Sequence, residues 1–220
     1  MQIRVFDSGI ADFERIWDLQ KKLLLETKGE RFPLNLVICQ HYPVFTSGRN
    51  ASIKNILATE EEIRGKGIKV YKIERAGDFT YHGLGQVTVY PIFDLEFLKK
   101  DLHWFLRSLE EIAIGVLADF GIRGERVPGL TGAWFKNRKI ASIGIAVRNW
   151  VTFHGMSINV KKDDLENFRM IRPCGMDIEM TSLESISEKK IEIDEVKKSV
   201  IQRIKGVFLS KPCAVVGPAS

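Results

Sequence analysis

Cysteine is scarce in this chain: three residues in 220, at Cys39, Cys174 and Cys213, odd in number and without close paired spacing. That excludes a disulfide framework, points to a reducing compartment and offers no zinc-ligand pattern. Long apolar runs are also lacking. None approaches the roughly 20 residues that cross a bilayer, so no membrane partner is expected. The segment Met1-Gln2-Ile3-Arg4-Val5-Phe6-Asp7 enters an alternating strand directly, without the basic and apolar regions of a signal peptide, and a cytoplasmic location is expected. Phosphate-binding signatures are missing as well: no Gly-Lys-Ser/Thr occurs, and Gly83-Leu84-Gly85 lacks the third glycine and following helix of a dinucleotide fingerprint. Without internal repeats, low-complexity tracts or linkers, the chain reads as one domain over residues 1–220.

What is present suits a folded core. Hydrophobic residues make up 45% and charged residues 28%, enough for a chain of this length to fold without staples. Thirty-three basic against 28 acidic residues leave a formal charge of +5, which favours an acidic partner. Nucleic acid is not that partner by pattern, because the basic residues are scattered and the clusters Lys161-Lys162 and Lys197-Lys198 have the look of solvated faces.

Two periodicities alternate along the chain. Phe13, Ile16, Trp17, Leu23 and Leu24 recur at helical spacing within 12–26, and the pattern returns over 102–120, with Gly121 as a stop, and over 194–208. Residues 34–40 read as a buried strand and 69–74 as an alternating one. Residues 133–135, 139–147 and 151–160, separated by short polar turns, read as a three-strand meander. The expected fold class is α+β: a mixed, mainly antiparallel sheet with helices on one side.

Cys174 is the cysteine that invites a chemical role. A proline stiffens one side of it and a glycine frees the other in Arg172-Pro173-Cys174-Gly175, and no extended apolar stretch surrounds it. Cys39, inside Leu36-Val37-Ile38-Cys39, fits the usual role of a small buried hydrophobe. Lys139 opens the apolar segment Lys139-Ile140-Ala141-Ser142-Ile143-Gly144, where a lysine is unusual. Should the fold bring Lys139 to Cys174, the pair would be a thiolate nucleophile and its cation. The stretch from Arg75 to Gln86 combines three glycines with an arginine, a tyrosine and a histidine between two strands, which suits a binding loop as well as a tight connection. His154-Gly155 places another histidine beside a glycine at a strand bend.

Taken together, the glycine loop through Tyr90-Pro91, the segment Lys139–Gly144, the run Thr152-Phe153-His154-Gly155-Met156-Ser157-Ile158-Asn159 and Pro173-Cys174-Gly175 resemble the ordered motifs of lipoyl(octanoyl) transferases. His41-Tyr42-Pro43-Val44-Phe45-Thr46 resembles a further segment of that family, so the likeness runs from about residue 35 to 185. Ala76 and Leu84 depart from the pattern, standing where the family usually has glycine and proline. The resemblance implies the fold of biotin and lipoate protein ligases, a mixed sheet flanked by helices. It implies transfer of an octanoyl group from octanoyl-acyl carrier protein to a lysine of a lipoyl domain, in a 2-oxoacid dehydrogenase or the glycine cleavage H protein, without cofactor or metal. Cys174 would carry the acyl group and Lys139 would lower its pKa. Arg75, Ala76, Gly77, Asp78, Phe79, Thr80, Tyr81 and His82, with Ser142, Ile143, Gly144, Gly155, Met156 and Ser157, would line the substrate site. Two other readings stay open: an ATP-dependent lipoate protein ligase, which needs no nucleophilic cysteine, and a non-catalytic module that binds acyl carriers or lipoyl domains.

Overall fold

The computed structural model describes residues 2–28 and 33–209, with Cys174 as backbone only; Cys213 lies outside the described residues. Strand β1 (Arg4–Ala11), helix α1 (Phe13–Thr27) and strand β2 (Leu34–His41) form the opening unit, and β1 and β2 pair in parallel. Strand β3 (Val44–Ser47), the short helix α2 (Glu60–Gly65), β4 (Lys69–Lys72) and β5 (Phe79–His82) follow. Thr59 starts α2 with a capping box, its side chain and that of Glu62 each accepting from the other's backbone N–H. Then come β6 (Gln86–Phe93), α3 (Leu102–Asp119), β7 (Glu125–Val127), β8 (Leu130–Phe135), β9 (Arg138–Arg148), β10 (Val151–Asn159), α4 (Leu183–Ser187) and α5 (Ile193–Leu209).

A seven-stranded sheet in the order β1-β2-β6-β10-β9-β8-β7 carries the core, and only its β1–β2 pair is parallel. The expected meander is β8, β9 and β10. Both of its turns are two residues long, Lys136-Asn137 and Asn149-Trp150, with φ of 47° and 65° and of 51° and 66°. Positive φ at both central positions matches the right-handed twist of the flanking strands, and this geometry fixes the register. Gly121 (φ 74°) ends α3 as expected.

The helices do not share one side of the sheet. Alternate residues of β2 point to opposite faces: Leu34, Leu36 and Ile38 pack with Phe105, Leu109 and Ile112 of α3 and Val196 and Val200 of α5, whereas Val37 and Cys39 pack with Ile16 and Leu23 of α1. Each such fully buried side chain contributes roughly 1.5–3 kcal/mol. A second sheet, β4-β3-β5, was not legible as such; it includes Phe79–His82, so the glycine-rich stretch is partly strand rather than loop.

Candidate active site

The site begins with a defect in the large sheet. Pro91 sits in β6, between β2 and β10, and has no N–H to give the ladder. Pairing of β10 with β6 accordingly runs from Asn159↔Gln86 only as far as Met156↔Val89. Beyond it Thr152 replaces the ladder: its hydroxyl donates to Pro91 O at 2.7 Å and accepts from Phe93 N–H at 3.1 Å. His154 takes a left-handed φ of 56°, and its N–H donates to Gln20 Oε1 of α1 at 2.8 Å. A side chain at Gly155 would bring its Cβ within 2.1 Å of Val89 O, so the strands meet here only because the residue is glycine.

Against this stretch lies a cleft of about 570 Å3 of empty space, counted to its open mouth. It is bounded by β6, β9 and β10 on one side and by β5 and the loop before it on the other. Of the residues expected in the site, Arg75, Ala76, Gly77, Asp78, Phe79, Thr80, His82, Lys139, Ser142, Ile143, Gly144, Gly155, Met156 and Ser157 line it. Tyr81 does not. Strand alternation on β5 turns it the other way, where its ring packs on Phe45 and Phe168 and its hydroxyl donates to Asp164 Oδ1 at 2.8 Å. Gly83 and Gly85 also face Asp164: a Cβ on either would fall within 2.5 Å of its side chain, so these glycines serve that contact and not the cleft. Leu84 is exposed beside them, whereas the other departure from the motif, Ala76, lines the cleft and donates its N–H to Ile145 O at 2.9 Å.

Sequence reading gave no place in the site to several residues that complete the lining: Phe13 and Ile73, and also Thr88, Tyr90, His154 and Pro173, which lie in the quoted motifs. Gly48 and Gly132 act from behind it. A Cβ on Gly48 would lie 2.3 Å from Gly77 O, and one on Gly132 would lie 2.8 Å from Lys139 Cε. Their signal was weak, since an isolated glycine within a strand, as Gly132 in β8, or just after one, as Gly48 after β3, says that something approaches closely but not what.

Lys139 is buried, 2% exposed, with its Nζ 5.3 Å from the centroid of the Trp134 ring. Arg75 is buried as well; its guanidinium donates to Thr46 O at 2.6 Å, Thr46 Oγ1 at 3.0 Å and Ala76 O at 3.1 Å. The turn Pro173–Gly175 is held on both flanks. Before it, Arg172 N–H donates to Asn55 O at 2.7 Å; after it, Lys139 N–H donates to Glu179 O at 2.8 Å and Thr181 N–H to Lys139 O at 2.9 Å. Gly175 adopts φ 69° against Asp78 and Asn55, whose side chains are themselves hydrogen-bonded.

Neutral histidines line and back the cleft, His82 and His154 in its lining and His41 behind it. Burial holds His82 well below its usual range, helped by His41 and Arg75 nearby, and its ring stacks on Phe13 at 6.4 Å. Burial likewise lowers His41, to about 4. Its Nδ1–H donates to Ala11 O at 3.0 Å, leaving Nε2 to accept from the Tyr90 hydroxyl at 2.8 Å. Burial also lowers His154, although the Glu74 carboxylate, 3.2 Å from its Nε2, opposes the effect. Cys39, fully buried, has its thiol pushed far up by burial and is no nucleophile.

Comparison with known proteins follows the same lines. The family model described as the lipoyl protein ligase A/B catalytic domain matches residues 12–205. Among curated relatives, the octanoyltransferase of Gloeobacter violaceus is 39% identical over 205 residues, 93% of this chain and 89% of that protein. That of Pelobacter propionicus is 40% identical over 203 residues, 92% and 93% respectively. Among solved structures, the bi-partite lipoate protein ligase of Thermoplasma acidophilum, studied with its E2 lipoyl domain, superposes with a TM-score of 0.76 at 14% identity, over 94% of this chain and 84% of that one. At that identity the superposition speaks for the fold.

Proposed function

Because the chain belongs to the lipoyl protein ligase A/B catalytic domain family, with octanoyltransferases as relatives over about nine tenths of its length, we propose that it transfers an octanoyl group to a lipoyl-domain lysine through a thioester on Cys174. It is an acyltransferase, and it acts on a lipoyl-domain protein. The finer parts of the reading are octanoyl-acyl carrier protein as donor, a lipoyl domain of a 2-oxoacid dehydrogenase or the glycine cleavage H protein as acceptor, and the cytoplasm as the place of action. No helix among the described residues is long and apolar enough to cross a membrane.

One observation carries the mechanism: the buried side chain of Lys139 and Pro173, the neighbour of Cys174, line the same cleft. An ammonium about 4 Å from a thiolate supplies roughly 1 kcal/mol in water and about 4 at an intermediate dielectric, and a lysine withdrawn from solvent is in the second regime. The Cys174 thiolate attacks the donor carbonyl, a carbon–sulfur bond to the enzyme forms, and the bond to the carrier thiol breaks as that thiolate leaves and takes up the proton of the Lys139 ammonium, which leaves Lys139 a neutral amine for the second step. The acceptor lysine then attacks the enzyme thioester, an amide forms, and the Cys174 thiolate is released while Lys139 relays the amine proton. Both steps exchange an already activated acyl group, so no ATP is needed.

Intact mass measurement tests this. Incubation with octanoyl-acyl carrier protein without ATP is expected to add one octanoyl group, located at Cys174 by peptide mapping and discharged by a lipoyl domain. An adduct that forms only with ATP would instead assign the chain to the ligases.

A further inference from the structure

An octanoyl chain is hydrocarbon beyond its carbonyl, yet the cleft holds buried polar atoms: Thr80 Oγ1, Thr88 Oγ1 and His154 Nδ1 have no hydrogen-bond partner among the described residues. All three residues line the cleft and are more than nine-tenths buried, at 8%, 1% and 1% exposure. The two threonines come from opposed walls, Thr80 from β5 and Thr88 from β6. Thr88 also ends a row of hydroxyls laid across the large sheet: Ser142 of β9 is directly opposite Ser157 of β10, and Ser157 directly opposite Thr88, so all three project from one face. Next in the row is Cys39, where His41 and Tyr90 close their own hydrogen bond. Among the described residues Gln20 Nε2, Asp94 Oδ2, Trp134 Nε1 and Thr181 Oγ1 also lack hydrogen bonds away from the cleft lining, but along this row the unmade bond is the one that faces the cleft.

Burying a hydroxyl without a partner is costly, and a valine would occupy almost the same space without that cost. A site built to hydrogen-bond an oxygen discriminates far better than one built on apolar contact alone. The neutral His154 ring adds an acceptor, because its Nε2–H is turned to Glu74 and leaves Nδ1 with a lone pair. We propose that the cleft also takes medium-chain acyl groups bearing a hydroxyl along the chain, with Thr80 and Thr88 as the specificity-determining residues. This rests on the acyl-transfer reading above. Octanoyl is then one of two acyl classes that the same site loads, the second being an oxygenated chain delivered as the same kind of thioester.

The test compares octanoyl thioester with analogues carrying one hydroxyl at successive carbons, reading kcat/KM for formation of the enzyme adduct. In the wild-type protein one hydroxyl position is expected to be accepted within about threefold of octanoyl, while the others fall by tenfold or more. Thr80→Val and Thr88→Val should lower the ratio of that analogue to octanoyl by about tenfold, and Thr88→Ser, which keeps the hydroxyl, should restore it. A hydroxyl penalised alike at every position in the wild-type protein would overturn the proposal, whatever the variants do. So would a ratio left unchanged in folded Val variants. Absence of any octanoyl adduct in the same assay would instead count against acyl transfer itself.

Discussion

The carbonyl of Lys139 accepts a hydrogen bond from Thr181 N–H at 2.9 Å, so the residue whose side chain enters the cleft is also the backbone anchor for the segment after Cys174. Glu179 accepts from Lys139 N–H in the same short parallel bridge. With Asn55 holding Arg172 on the other flank, the position of the Pro173–Gly175 turn is set by groups outside it. A nucleophile carried on a turn can therefore be held in place without a helix or strand of its own.

Cys174→Ala is expected to abolish both the octanoyl adduct and transfer. Cys39→Ala should keep both, since the Cys39 thiol is buried among the residues that face α1, and should cost only about 1 kcal/mol of stability for the emptied volume. Intact mass and denaturant midpoints of the two variants check this, and transfer by Cys174→Ala at the wild-type rate would end the covalent mechanism.

Sequence periodicity carried the large sheet and the long helices because each buries one stripe or one face over many residues, as in α1, α3 and the β8–β10 meander. It carried β4, within residues 69–74, but not the small sheet as a whole: β3 and β5 are four residues each, too short for a pattern to declare itself. Site residues were legible where a motif named them. Tyr81 shows the limit, because a motif read as a continuous loop hides the alternation of the strand it contains. Gly132 falls outside the motifs and Thr88 lies in one without being marked by it, and their roles follow from partners distant in sequence.

Gly175→Ala tests the turn. A left-handed φ costs a residue with a Cβ roughly 1–2 kcal/mol, and that Cβ would stand 3.1 Å from Asp78 Oδ2 and from Asn55 Nδ2. The fold is expected to survive, with adduct formation slowed by about tenfold or more through misplacement of the neighbouring Cys174. Adduct formation at the wild-type rate in a protein of unchanged melting temperature would show that the turn needs no glycine.

Stability should fall on acidification well before carboxylates titrate. His41 binds its proton near its usual 6.5 when unfolded but only at about 4 when folded, so between these values the unfolded chain holds more protons and stability drops as pH falls. The loss approaches about 3 kcal/mol at the low end, and His82 and His154, both lowered by burial, add in the same direction. Glu74 behaves oppositely in placement: lowered to about 2 chiefly by its hydrogen bond to His154, it loses its contribution only below about 4.5. Denaturant midpoints at pH 7 and pH 5 should differ in the wild-type protein and differ less in His41→Gln; equal differences in the two proteins would remove His41 from the account.

Donor docking should depend on salt if the formal charge of +5 steers an acidic carrier. Screening shortens to roughly 10 Å at 0.1 M and 3 Å at 1 M, so kcat/KM for the carrier-bound donor is expected to fall steeply over that range while a small octanoyl thioester changes little. The same slope for both donors would place the salt effect in the cleft rather than at a docking face.

Lys139 is the residue whose replacement bears most directly on the chemistry. Lys139→Met keeps much of the length and apolar stem that pack over Trp134 and against Gly132, but removes the cation. Without it the Cys174 thiolate loses its stabilisation, and the pH midpoint of Cys174 alkylation should rise by at least about one unit, equivalent to ~1.4 kcal/mol. Lys139→Arg keeps a charge, so the midpoint should move less, yet transfer to the lipoyl lysine should stay poor, because a guanidinium does not relay the proton of the attacking amine. The split between alkylation and transfer separates the electrostatic role from the proton-relay role. An alkylation midpoint left in place by Lys139→Met would mean that the lysine shapes the cleft and tethers the turn without acting on the thiol.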